Sequence, residues 1–345
     1  MKFERQLNIE LIRIFSMFLI CFWHVNGHFF PLLPKDIIHV GDLFAKIIPY
    51  ITFHVDLFVL ITGYFGINNY KKKIFKTCSL ILFYVIILTI ITSCAGIGDI
   101  KWTQLLPFSG APWWFLHIYL VLLLISPIIN NYLKDKKRNI YSLLFITTFI
   151  NVYLGWFRHI PLYDNHGYDI FNFINLYVIG YWLHTEGKII SKFKQKTIVL
   201  LLSFIICCVI RYKVQPIIYF NWWDYSSPLN IFMAVCVFCL FLKLRVSQLF
   251  YKPIMFLSTS AIAVYLITDY SGIYTLIASI LYEFIKYGEN AKMQFLIIIF
   301  FVIVMFIFCC FIDKMRIIII KPIEDYCYQK FGDYVKRFRR YHSKN

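Results

Sequence analysis

Ten apolar runs, at 7–29, 47–67, 74–95, 113–132, 140–157, 170–184, 197–212, 228–243, 254–281 and 293–312, occupy most of this 345-residue chain and fix what it can become. About 20 apolar residues make a helix long enough to cross a bilayer. In hydrocarbon every backbone N–H and C=O must be paired, and runs this long pair within themselves as helices. Composition agrees: with 60% apolar residues, 15% charged and a mean hydropathy of +0.68, too little polar surface remains to cover a soluble core. The sequence therefore predicts an all-α fold, a polytopic membrane bundle of about ten transmembrane helices.

The net charge of +17 invites a nucleic-acid reading, but the position of the charges argues against it. Of 35 lysines and arginines, 26 fall in the two tails and in the loops after every even-numbered run, 8 fall in the opposite loops, and Arg13 lies inside the first run. That alternation is the positive-inside pattern, and it predicts a multi-pass protein of the cytoplasmic membrane with both termini cytoplasmic. Residues 7–320 read as one transmembrane domain. Residues 321–345 read as a basic cytoplasmic tail, with Lys336, Arg337, Arg339 and Arg340 expected along anionic lipid headgroups. The first run is a retained helix rather than a signal peptide, because Glu10 and Arg13 interrupt it and no small-residue cleavage site follows. Most of the ten cysteines lie within apolar runs and read as small hydrophobes. Cys236 and Cys239 have a metal-ligand spacing but no histidine or acidic partner nearby, so no metal site is read from the sequence.

Ionisable residues inside the runs are the functional candidates, since such groups face a bundle interior or a water-filled cavity. Glu10 lies one turn before Arg13 and is expected to pair with it. His24 follows Arg13 by three turns, on the same helix face and roughly 16 Å further along the axis. His54 and Asp56, near the start of the second run, come at about the depth of His24. A carboxylate that fixes an imidazole tautomer makes a general base, so Asp56 is expected to orient a histidine. The same polar groups would also suit proton coupling in a secondary transporter or flippase of a glycolipid or polar solute. The tryptophans Trp113, Trp114, Trp156, Trp222 and Trp223 fit an interfacial belt.

Taken in order, these elements resemble the acyltransferase 3 family of membrane acyltransferases. Glu10, Arg13 and His24 match the acidic residue, arginine and histidine of the family's first helix. The stretch VDLFVLITGYFG, Val55 to Gly66, is similar to its second span, and Lys73 and Lys76 stand where the family has an RxxR-like element. Trp114, Phe115, Tyr119, Ser126 and Pro127 match the fourth span, and LYVIGYWL, Leu176 to Leu183, the sixth. The ninth span keeps Tyr265 but has Ala261 and Thr268 where relatives often carry serine and histidine, and Asp269 follows.

The resemblance implies transfer of an acyl group, usually acetyl, from acetyl-CoA or another acyl-CoA to a hydroxyl of an envelope polysaccharide or lipid-linked sugar, without a metal. It implies catalytic roles for His24, Arg13 and Glu10, with His54 and Asp56 beside them. Arg13, Lys73 and Lys76 would hold the donor, because coenzyme A is polyanionic. Trp114, Tyr119 and Tyr265 would contact substrate. Acyl-CoA, the glycan acceptor and anionic lipids are the expected partners, and nucleic acid is not.

Overall fold

The computed structural model describes residues 6–35, 38–97, 101–186, 197–214 and 221–342. Lys2, Arg5, Lys188, Lys192, Lys194, Lys196 and Lys344 of the basic count lie outside them, as do the side chains of Lys336, Arg337, Arg339 and Arg340. Among the described residues the fold is helical and has no strand. The helices are α1 (Leu7–His24), α2 (Gly41–Ile47), α3 (His54–Phe65), α4 (Tyr70–Cys94), α5 (Trp114–Asp135), α6 (Lys137–Thr148) and α7 (Ile170–Thr185). They continue as α8 (Thr197–Val214), α9 (Pro228–Leu242), α10 (Tyr251–Ser258), α11 (Ala261–Thr268), α12 (Tyr274–Ile285) and α13 (Ala291–His342). Among the described residues seven helical stretches are long and apolar enough to cross a membrane, and Pro228–Leu242 and Ser271–Ile285 are shorter apolar helices. The chain is a helical membrane protein.

The first helix is the axis of the bundle. It packs on α3, α9, α10, α11 and α13, so its polar residues are enclosed by protein rather than lipid. After His24 the helix widens into a π-helical turn, Val25–Phe29, the kind of local irregularity that collects at functional sites. The most extensive helix contact joins α3 to α7. It rests on two glycines facing each other: a Cβ on Gly63 would run into the Tyr177 carbonyl, and one on Gly180 into the Leu60 carbonyl. Without a hydrophobic force between helices in lipid, close backbone approach at small residues is what binds them. The glycines of LITGYFG and LYVIGYWL are therefore halves of one interface.

The ninth run departs from expectation. It is not one helix over 254–281 but three pieces, and the chain leaves helical geometry at Asp269 and Tyr270. A helix that stops inside the bundle leaves its last carbonyls without partners. Trp113 supplies one, donating its Nε1–H to the Leu266 carbonyl at 3.1 Å. Trp113 is thus a fully buried core residue and not part of an interfacial belt. Arg211, counted above among loop residues, lies inside α8 and is fully buried. The second run becomes a regular helix only at His54, preceded by α2 and a 3₁₀ turn. The last helix runs unbroken from Ala291 to His342.

The α3–α7 seam makes a direct prediction. Gly63→Val meets backbone that cannot move aside, and overpacking of even a yielding core costs about 1–3 kcal/mol. The melting temperature of the purified protein should fall by several degrees or more, whereas Gly41→Ala, whose new Cβ meets only Ile38 at 3.7 Å, should leave it unchanged. Equal melting temperatures for Gly63→Val and wild type would remove the seam from the account.

Candidate functional site

His24 sits where α1 gives way to the π turn, 3% exposed. Its Nδ1 is 3.0 Å from the Thr268 hydroxyl, and that hydroxyl donates its own hydrogen to the Val264 carbonyl at 2.9 Å. Thr268 Oγ1 must therefore accept from His24 Nδ1–H. This fixes the tautomer and leaves Nε2 with a bare lone pair. Nε2 lies 3.9 Å from Asp269 Oδ1. The same Oδ1 is 3.1 Å from His28 Nε2 and accepts from the Tyr274 hydroxyl at 3.0 Å. The Tyr274 ring stacks on His28 with centroids 4.4 Å apart. The break after Thr268 is what turns Asp269 toward α1: a helix continuing in register would send residues 268 and 269 to different faces.

His24, His28 and Asp269 line a cavity of about 200 Å³ that also reaches His54, Trp114 and Tyr265. His54 is 1% exposed and, among the described residues, neither of its ring nitrogens has a hydrogen-bond partner. His24 and His54 thus meet, as their common depth in the sequence predicts. Asp56 does not join them. It is fully buried and accepts from Asn230 Nδ2 at 2.9 Å. Asn230 Oδ1 in turn takes bonds from Thr52, at 2.9 Å, and from the Arg211 guanidinium, at 3.3 Å. Asp56 balances a buried arginine through an amide bridge and orients no histidine. The expectation fails because residues two apart on a helix point about 200° apart, so His54 and Asp56 face different neighbours.

A second cavity, of about 280 Å³, lies at the end of the bundle that carries Lys71 to Lys76. Arg13, Lys73, Thr62, Tyr119 and Ser258 line it. Arg13 is paired with Glu10 at 2.5 Å, as the three-residue spacing predicts. Tyr119 belongs to this cavity and not to that of His24, so the three expected substrate contacts are divided: Trp114 and Tyr265 in one cavity, Tyr119 in the other. Lys76 faces away, 3.5 Å from Asp325 on the last helix. Phe58, Phe115 and Ile262 line both cavities and form the wall between them.

On the other side the His24 cavity opens toward a vestibule of about 600 Å³, with which it shares Trp23, Tyr168 and Tyr225. Asn26, Asn221, Trp223 and Asp224 complete its polar and aromatic lining. Two loops form its rim. They are joined by His166 Nδ1 to Asp224 Oδ2 at 3.0 Å and by the Tyr225 N–H to the His166 carbonyl, also 3.0 Å.

Neither His28 nor Tyr274 belongs to a motif of the sequence, and Asp269 is marked there only as the neighbour of Thr268. The available signal was the polar sequence TDYSG, Thr268 to Gly272, in the middle of an apolar run, where Ser and Gly favour a turn.

Comparison with known proteins agrees with the fold. A family model described as an acyltransferase domain matches residues 6–314. No curated protein and no solved structure matches the chain.

The rim carries a pH prediction. The bond to Asp224 raises the His166 pKa above its ordinary 6.5, and burial also raises that of Asp224. A histidine whose folded pKa is raised contributes its stabilisation fully below the unfolded value and loses it as pH climbs through the folded value. The melting-temperature gap between wild type and His166→Gln should therefore be present at pH 6 and narrow as the pH is raised above 6.5. A gap that widens with pH would contradict the pairing.

The match over 6–314, together with the helical bundle, establishes that this chain belongs to the acyltransferase 3 family and is a membrane acyltransferase.

Proposed function

We propose that the protein transfers an acyl group, acetyl in the first instance, from acyl-CoA at the Arg13–Lys73 cavity to a hydroxyl of an envelope glycan or glycolipid held in the vestibule. The observation that carries this reading is the placement of the two cavities along α1, with Phe58, Phe115 and Ile262 lining both. One cavity offers Lys73 and the Glu10-paired Arg13 to a polyanionic donor, and the other offers imidazoles to an alcohol. The excess of basic residues at the Arg13 end supports a cytoplasmic donor side and an extracytoplasmic vestibule.

The chemistry follows from the fixed tautomer. An alcohol is a weak nucleophile at neutral pH and needs a base to take its proton as it attacks. His24 Nε2 has the free lone pair for this, with Thr268 holding the opposite nitrogen. As the hydroxyl oxygen bonds to the thioester carbon, its proton passes to Nε2, and Asp269, 3.9 Å away, faces the charge that develops on the ring. Collapse of the tetrahedral adduct breaks the carbon–sulfur bond, and the coenzyme A thiolate leaves with the proton that His24 Nε2 took, which returns the imidazole to its starting tautomer. The product is the ester. His54, with both nitrogens unengaged among the described residues, is available to orient the hydroxyl or the carbonyl. The aromatic faces of Trp23, Trp223, Tyr168 and Tyr225 beside amide and carboxylate groups suit a sugar ring, which presents apolar faces and hydroxyl edges.

Purified protein supplied with radiolabelled acetyl-CoA tests the proposal, since an acyltransferase consumes the thioester. The expected loss for His24→Gln is about 100-fold or more in turnover, within the 10²–10⁴ typical of a general base, with donor binding retained. Retention of more than a tenth of the turnover would move the base to His54.

The two lysines separate donor binding from topology. Lys73→Ala should raise the KM for acetyl-CoA several-fold and flatten its salt dependence. Lys76→Ala, whose partner is Asp325 outside the cavity, should do neither. Equal effects of both substitutions would reduce the cluster to a topology signal.

A further inference from the structure

We propose that His24, His28 and Asp269 form a binding site for a divalent transition-metal cation, Zn²⁺ in particular, and that its occupation switches the enzyme off. One ligand atom from each of His24, His28 and Asp269 lies within 4.8 Å of the other two, with Asp269 Oδ1 3.1 Å from His28 Nε2 and 3.9 Å from His24 Nε2. Ligands at about 2.0–2.2 Å in a tetrahedron stand roughly 3.3 Å apart, so adjustments of an ångström or so would bring the three onto one ion. Two imidazoles and one carboxylate are a donor set that zinc takes readily, and the cavity beside them supplies the open fourth position.

The outer shell is already built. A metal-binding histidine needs its second nitrogen held, and Thr268 Oγ1 accepts from His24 Nδ1–H at 3.0 Å. The carboxylate is held by the Tyr274 hydroxyl at 3.0 Å, and the same ring braces His28 from the side. His24 Nε2 is bare as it stands. His28 must move its ring proton to Nδ1, and the cation then replaces the proton in the His28–Asp269 bond. The vestibule provides an access path, because it shares Trp23, Tyr168 and Tyr225 with the cavity.

Inhibition rests on the functional reading given above: the cation occupies the lone pair with which His24 would take the proton. Binding itself does not depend on that reading. Zinc therefore lowers turnover by competing with a proton transfer, and a chelator restores it.

The test uses the purified full-length chain in detergent and zinc alone as probe. Calorimetric titration of wild type should give one equivalent bound. His28→Gln and Asp269→Asn should each weaken binding by at least about 100-fold, and Thr268→Val by about 10-fold through its outer-shell role. Asp269→Glu keeps the carboxylate and should recover binding, which distinguishes a lost ligand from a lost fold, and melting temperatures of each variant check the same point. With acetyl-CoA turnover as readout, micromolar zinc should inhibit wild type at least 10-fold, reversibly with EDTA. No saturable binding, or binding unchanged in both His28→Gln and Asp269→Asn, would overturn the site while leaving the acyltransferase assignment intact. Binding as described with zinc-stimulated turnover would overturn the inhibitory role. A protein that binds zinc but never consumes acetyl-CoA would keep the site and overturn the donor reading.

Discussion

A carboxylate within a bundle of apolar helices is stable only where neighbouring groups meet its charge, and the cost of failing to do so is several kcal/mol or more. Around Asp269 those groups are His28, His24 and Tyr274, drawn from the first helix and from the segment just beyond the break. The break in the ninth span, the π turn after His24 and the Trp113 bond to Leu266 all serve that one requirement. Irregular backbone at membrane depth is tolerated where it is buried in protein or lines a cavity, and residues 269–270 meet that condition.

The remaining buried charges are neutralised separately. Arg13 has Glu10 within its own helix. Arg211 has the carbonyls of Pro49 and Trp222 and reaches Asp56 through Asn230. Near the middle of the last helix, Asp313 accepts from Tyr84 at 3.0 Å and from Arg316 at 2.7 Å. Each pair is closed within two or three helices, so the His24 cavity keeps its imidazoles free of these networks. That separation is why one bundle can hold an Arg13–Lys73 cavity and an imidazole cavity that share three lining side chains.

Much of this was legible in the sequence where the information is local. Helix periodicity puts Arg13 above Glu10 and on the face of His24, and the apolar runs fix the helical class. The spans' depth brings His54 level with His24. What was not legible depends on contacts between distant segments. Thr268 is 244 positions from His24, and Asp269 is 241 from His28, so no spacing rule relates them. Thr268 reads in sequence as a missing histidine; in the fold its hydroxyl is the acceptor that fixes the His24 tautomer. Asp56 misled for the opposite reason: it is adjacent to His54 in sequence, but the helix turns it toward Asn230 and Arg211.

The central claim is that donor and acceptor meet at the wall of Phe58, Phe115 and Ile262, with His24 on the far side of it. A structure of the protein with a non-reactive thioether analogue of acetyl-CoA tests this most directly. The account predicts phosphates beside Arg13 and Lys73 and the acyl carbon at the wall, turned toward His24 Nε2. An analogue seated in the Trp23–Tyr225 vestibule, or with its acyl carbon remote from that wall, would contradict it.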